Sequence, residues 1–386
     1  MGKKLQPKLR FKGFTDDWEQ RPFGKVYTRC TEKNNPIRFG VDKIITVASM
    51  QYAPRHGCTN NEYLLTYNVM KLGDIAFEGN RNKRFPFGRF VENMIGEGIV
   101  SHVFSVYRPI VKQSSLLFLK YYINNDYVIR NMLRKSTIAA TMMRTLVDAD
   151  LMRQTLTLPS GREQEKIGKL FVDIDNLIDA EKRKLDLLKQ KKKALLHQIF
   201  EQKLRFKGYN NPWERRKGSD IIHVRKETNS KPLTDTVDIE LENLIEGGGL
   251  QGDISLRTAS TSVFREHDTL FGRLRPYLRK CWLADISGVK SGEIWALFSP
   301  TLKSEFLYAL TQSAQFLNPA LQTAGTKMPR AEWKAIAEAC FTIPETDEQE
   351  KIGQLFRQLE HLTAVETRKI DLLSVKKKAL LQKMFV

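Results

Sequence analysis

The chain repeats itself. Leu9-Arg10-Phe11-Lys12-Gly13 followed by Trp18-Glu19 returns as Leu204-Arg205-Phe206-Lys207-Gly208 followed by Trp213-Glu214, an offset of 195 residues. Pro159 followed by Glu163-Gln164-Glu165-Lys166-Ile167-Gly168 returns as Pro344 followed by Glu348-Gln349-Glu350-Lys351-Ile352-Gly353, an offset of 185. Between these anchors the match is faint but stays in order. Asp74 and Phe77 face Asp268 and Phe271, and Gly98 and Ser101 face Gly288 and Ser291. The simplest explanation is a duplicated unit whose two frames stayed alike while the interiors gained or lost a few residues. With 386 residues, two domains are the natural expectation.

Each copy ends in a stretch that reads as one long helix, over 159–200 and 344–386. Both follow a proline, lack glycine and proline after the first turns, and repeat apolar residues at spacings of three and four. The first stripe is Ile167, Leu170, Ile174, Leu177, Leu185, Leu188, Leu195 and Ile199. The second is Ile352, Leu355, Leu359, Leu362, Ile370, Leu373, Leu380 and Met384. The spacing of eight between Leu177 and Leu185, repeated from Leu362 to Ile370, predicts a stutter in a coiled-coil seam. Forty residues of helix span about 60 Å, more than one globular core covers, so the stripes must pair. Antiparallel pairing lets each helix serve its own globular half and turns the repeat into a pseudo-two-fold axis.

The globular parts, 1–158 and 201–343, mix strand-like and helix-like runs, an α+β reading. Ile44–Val47 and Gly98–Val106 read as strands, and Leu116–Arg134 and Ser304–Gln315 as helices. The expected architecture is two similar globular domains separated by an antiparallel helical pair.

Net charge is +19, an attraction for polyanions that makes nucleic acid the leading partner class. The excess is uneven: residues 1–158 hold 25 Lys+Arg against 13 Asp+Glu, whereas residues 201–343 hold 20 against 17. The second domain must therefore bind through a local patch. Arg273, Arg275, Tyr277, Arg279 and Lys280 interleave cations with an aromatic. At the matching place the first domain carries Asn80, Arg81, Asn82, Lys83 and Arg84. Arg and Asn read guanine and adenine edges bidentately, and Lys and Arg grip phosphates. Either stretch alone would also suit a solvated turn. A further turn, Gly325 to Arg330 with Lys327, has its counterpart around Arg144; it could hold a phosphate or simply aim the chain.

Signatures of catalysis are missing. There is no G-x-x-x-x-G-K-[ST] phosphate loop and no N-P-P-F/Y tetrapeptide of a base methylase; Asn35-Pro36-Ile37 and Asn211-Pro212-Trp213 lack the second proline. Gly247-Gly248-Gly249 has no G-x-G-x-x-G spacing and reads as a flexible loop. The six histidines and four cysteines are scattered without metal-ligand spacing, so no metal or cofactor is expected and the cysteines read as reduced. No signal peptide or membrane span is apparent, which suggests a cytoplasmic protein. Two rival readings are a coiled-coil adaptor that binds only protein and a self-sufficient nucleic-acid enzyme.

Together these residues resemble the specificity subunits of type I restriction-modification systems. The resemblance covers the whole chain. It rests on the duplicated Leu-Arg-Phe-x-Gly-(x)4-Trp motif, the Pro-(x)3-Glu-Gln-x-x-Ile helix openings, the Lys-Lys-Lys-Ala-Leu-Leu endings at Lys191 and Lys376, the Arg273-to-Tyr277 stretch and Gly325 to Arg330. It implies a non-catalytic subunit with two target-recognition domains, each reading half of a split site in double-stranded DNA, with the paired helices as spacer. It also implies two methylase subunits and motor-nuclease restriction subunits as partners. The first domain departs from the pattern, with Gly79-Asn80-Arg81 where the second has Leu274-Arg275-Pro276.

Overall fold

The computed structural model describes residues 5–54, 61–80, 82–110, 116–140, 143–229, 236–255, 261–324 and 328–385. The chain divides into two compact units, Met1–Ala180 with Ile370–Val386, and Glu181–Lys369. Each contains sheet, short helices and a part of both long helices.

In the first unit four antiparallel strands run in the order Tyr27–Cys30, Val106–Pro109, Ile75–Glu78, Arg89–Glu92. The second unit has the same order: His223–Val224, Ile294–Phe298, Thr269–Gly272, Cys281–Leu283. In both, the strand after the Leu-Arg-Phe motif pairs with the strand that leads into a long helix. These pairs are Glu19–Pro22 with Thr155–Leu158 and Glu214–Lys217 with Cys340–Ile343. The matched Asp74 and Asp268 are buried and ion-paired in both units. Arg108 holds the first from the neighbouring strand, and Arg225, one residue past the strand His223–Val224 of the equivalent sheet, holds the second.

Four sequence expectations change at this level. Gly98–Val106 is two strands, Gly98–Val100 and Val106–Pro109, which pair in different sheets. Ile44–Val47 contributes only Ile45–Thr46. Leu116–Arg134 is broken into helices Leu116–Ile123 and Asp126–Ser136, because the Asn125 carboxamide accepts from Tyr127 N and caps a new start. Its counterpart breaks likewise at Ser313, between Ser304–Gln312 and Ala314–Ala320.

The long helices are Gly161–Phe200 and Thr346–Lys383. Within each unit they run antiparallel. Lys377 pairs with Asp175 in the first unit; in the second, Lys369 pairs with Glu181, Lys184 with Glu366 and Lys192 with Glu360. These are two kinds of contact, each made twice, since shifting Asp175, Glu181, Lys184 and Lys192 by 185 gives Glu360, Glu366, Lys369 and Lys377.

The stutter is absent. Burial follows an unbroken heptad through Ile167, Phe171, Ile174, Ile178, Glu181, Leu185, Leu188, Lys192, Leu195 and Ile199, at alternating steps of four and three. The second helix repeats it through Ile352, Phe356, Leu359, Thr363, Glu366, Ile370, Leu373, Lys377, Leu380 and Met384. Leu177 and Leu362, placed in the seam by the apolar pattern, are instead 43% and 47% exposed. Leu170 and Leu355 are half-buried and pack on the domain cores beside the seam. Charged seam residues with partners on the facing helix complete the period that an apolar-only reading breaks.

Each core takes the start of one helix and the end of the other: Ile167, Phe171, Met384 and Phe385 in the first unit, Ile352, Phe356, Ile199 and Phe200 in the second. The repeated motifs serve this junction. The Gly168 position lies against Phe118 N, where a Cβ would sit 2.8 Å away, and Gly353 lies against Glu305 Cβ at 2.6 Å, so a glycine lets a short helix touch the long one. Among the described residues no helix is long and apolar enough to cross a membrane.

Candidate nucleic-acid interface

In the second unit the strand Thr269–Gly272 runs out into a knuckle. Pro276–Leu278 forms one 3-10 turn flanked by Arg275 and Arg279, both in the left-handed region at φ 51° and 49°. Left-handed backbone at a residue bearing a Cβ costs about 1–2 kcal/mol, so neighbours must hold it. They do: Arg275 N donates to Pro329 O at 2.7 Å, Arg279 N to Pro276 O at 2.9 Å, and Gly247 N to Arg279 O at 3.1 Å. Leu274 bridges to Arg330, and Ala331 N donates to Arg273 O at 2.8 Å. Arg273–Lys280 and Met328–Arg330, two separate stretches of sequence, therefore form one surface.

The cations of that surface are not equivalent. Arg275 and Arg279 are exposed, as is Tyr277. Lys280 Nζ donates to Leu241 O at 2.8 Å, anchoring the strand beneath. Arg330 makes three contacts of 2.8–3.1 Å with the Glu293 carboxylate, which it holds below the usual range. The Arg273 guanidinium lies 5.7 Å from the Trp295 ring, with its Nε buried and without a partner among the described residues. Sequence reading does not select Glu293, the acid that fixes Arg330. Lys327 lies outside the described residues.

In the first unit the same junction recurs. Arg144 N donates to Gly79 O at 2.8 Å, and Asn80 bridges to Met143. This pairs Gly79 with Arg273 and Asn80 with Leu274, the same offset of 194 that joins Asp74 to Asp268, and one residue away from setting Gly79-Asn80-Arg81 against Leu274-Arg275-Pro276. It also sets Arg144 at the place of Ala331 and Met143 at that of Arg330. A shift of one residue turns a strand side chain to the other face. Arg144 is accordingly half-buried, 5.2 Å from the Phe87 ring, while Met143 is 45% exposed. Asn80, Asn82, Lys83 and Arg84 are exposed, but the Asn82 carbonyl accepts from Arg84 N and Phe85 N and so serves the turn. The Arg84 guanidinium lies 5.1 Å from the Phe85 ring. Arg81 lies outside the described residues.

Gly247-Gly248-Gly249 is not a free loop. All three have positive φ, at 75°, 118° and 112°, and all three amides are bonded, to Arg279 O, Ile245 O and Cys281 O. Only glycine tolerates three such residues in a row.

No protein-family model and no curated protein sequence matches the chain. Solved structures do. The crystal structure of the type I restriction-modification system S subunit from M. genitalium superposes with a TM-score of 0.59 at 13% identity, covering 99% of both chains. A chain from a study of complex assembly and conformational transition of the type I R-M system gives 0.54 at 16% identity, over 95% of this chain and 97% of that one. The HsdS subunit from Thermoanaerobacter tengcongensis matches at 17% identity over 95% and 96%, with a TM-score of 0.45. The first two likenesses show the fold: it is that of a type I S subunit. This chain shares that architecture end to end.

Proposed function

We propose that this chain is a non-catalytic DNA-specificity subunit of a type I restriction-modification complex. The observation that carries the reading is the end-to-end fold likeness to an S subunit, in a chain that presents a basic surface at the same junction of both units. In the second unit Arg275, Tyr277 and Arg279 are the proposed contacts to DNA. In the first unit they are Asn80, Arg81, Asn82, Lys83 and Arg84. Arg144, Arg273, Lys280 and Arg330, held by Phe87, Trp295, Leu241 and Glu293, shape the surface from within. Each unit reads one half of a split site in double-stranded DNA. Methylase and restriction subunits, docked on the assembled chain in the cytoplasm, supply the chemistry.

The test is DNA binding by the chain assembled with its methylase, titrated against salt. Several phosphate contacts should give a steep linear fall of log affinity with log salt, about −0.9 per phosphate contacted. Arg275→Ala and Arg279→Ala should weaken binding of the specific duplex about 5- to 150-fold each, the range of one lost base contact. Binding without sequence preference, or no binding, supports the adaptor reading instead.

A further inference from the structure

The glycine loop behind the knuckle is gripped from the helical pair. Lys192 lies in the seam of the first long helix, and its Nζ donates to Gly247 O at 2.8 Å and to Glu360 Oε1 at 2.6 Å. Tyr308 OH donates to the same Glu360 oxygen at 2.5 Å. Gly248 sits directly over this group: a Cβ there would be 2.2 Å from Tyr308 OH and 2.3 Å from Glu360 Oε1. On its far side the loop binds the knuckle backbone, through Gly247 N to Arg279 O and Gly249 N to Cys281 O at 3.0 Å. A short chain of hydrogen bonds thus runs from the helix seam through three glycines to the left-handed Arg279. All of it lies within the second unit.

Lys192 is 8% exposed. Buried there, its ammonium needs acceptors besides the one carboxylate oxygen, and the loop carbonyl of Gly247 supplies one. The matched pair in the first unit, Lys377 with Asp175, has its tyrosine too, with Tyr121 OH donating to Asp175 Oδ2 at 2.7 Å. Lys377 makes no described bond to a loop carbonyl. The extra bond belongs to the unit whose contacts to DNA ride on a strained turn.

We propose that Lys192 and Glu360 are positioning residues for DNA reading. They clamp the Gly247–Gly249 loop and so fix the Arg279 end of the recognition knuckle in register with the helical pair. The inference rests on the DNA-specificity reading above. It adds that specificity of the second half-site is set partly by residues that never touch DNA. Bonded by charge at one end and by backbone at the other, the loop transmits position with few soft torsions between seam and knuckle.

The experiment uses the full chain assembled with its methylase. It measures discrimination between the specific duplex and duplexes carrying one changed base pair in either half-site. Lys192→Met keeps the apolar stem in the seam and removes both bonds; Gly248→Ala pushes the loop away and leaves every charge in place. In each, discrimination at the second half-site should fall about tenfold, while discrimination at the first half-site and affinity for unrelated DNA stay within about twofold. A purely structural role would instead lower affinity for every duplex, unrelated DNA included, in step with a lower melting temperature. Lys192→Met should also add little to Arg279→Ala, because the two act on one position. Lys192→Arg, which can still donate to both oxygens, should restore most of the discrimination. Unchanged discrimination in both folded variants, or additive losses with Arg279→Ala, overturns the clamp and leaves the DNA reading standing. Absence of any sequence discrimination in the wild-type complex overturns both.

Discussion

Arg10 and Glu163, 153 residues apart, meet in a two-bond ion pair of 2.8 Å per bond, the carboxylate fully buried. Arg205 holds Glu348 in the same way, at 3.0 and 2.6 Å. Both arginines also donate to a backbone carbonyl of the following loop, that of Asp16 and of Asn211. The most visible repeat in the sequence is thereby explained. The Leu-Arg-Phe motif is a lock on the first turn of a long helix.

The two locks differ in one bond. Glu348 also accepts from Trp213 Nε1 at 3.0 Å, whereas Trp18 Nε1 is buried without a partner among the described residues. Arg10→Met leaves the buried Glu163 carboxylate without its partner and should cost about 3–5 kcal/mol. Arg205→Met should cost about 1.5–3 kcal/mol less, because one bond to the charge survives. Urea unfolding of the two variants gives the order directly; equal losses would show that the tryptophan bond is immaterial.

Gly168→Ala and Gly353→Ala set helix propensity against contact. Alanine gains about 1 kcal/mol in a helix interior. The new methyl meets backbone or the Cβ of a neighbouring helix, which cannot swing aside, and overpacking costs about 1–3 kcal/mol. A net loss of up to about 2 kcal/mol is expected in both, read by thermal unfolding. A stabilised variant would mean the short helices are free to move away.

Glu92, on the strand Arg89–Glu92, is buried with neither carboxylate oxygen bonded among the described residues, and desolvation pushes its pKa up from 4.5 to about 9. The folded chain then keeps a proton that the unfolded chain loses above about pH 4.5. This contribution to stability is complete below that pH and drains away as pH rises towards 9, at about 1.4 kcal/mol per pH unit. Glu92→Gln removes the titrating group. It should flatten the pH dependence of unfolding between pH 5 and 9, with its advantage over the wild type largest at the alkaline end. Parallel curves for the two proteins would contradict a protonated Glu92.

At the middle of the helical pair Glu181 and Glu366 each leave one buried oxygen without a bond among the described residues, while their lysine partners are half in water. Exchanging a whole buried ion pair for apolar groups is commonly neutral to stabilising by about 1–4 kcal/mol, and the lysines left here are not buried charges, since they already reach water. The double variant Glu181→Leu with Glu366→Leu should therefore melt at a higher temperature than the wild type. A lower melting temperature would show that the ion pairs stabilise the seam.

What was legible in the sequence followed local periodicity and repetition. Ile167, Ile174, Ile352 and Leu359 declare a helical stripe because spacing alone decides their face. Leu177 misleads because its neighbour Ile178 is also apolar, and only Glu181 and Lys192, bonded to the other helix, show which of the two lies in the seam. The basic knuckle was visible as charge, but not the division of labour within it. Arg330 is tied to Glu293, 37 residues away, and Lys280 to Leu241, 39 away. The position of Arg144 depends on a single hydrogen bond to Gly79, beyond the reach of motif alignment.

The central claim is that each unit reads one half of a divided DNA site. The direct test is to map methylated bases genome-wide in cells carrying the complete complex, with the wild-type chain and with Arg275→Ala Arg279→Ala. The account expects two short blocks of specified bases separated by a fixed unspecified gap, with the double variant relaxing one block and sparing the other. A single uninterrupted block, or equal relaxation of both blocks, would contradict it.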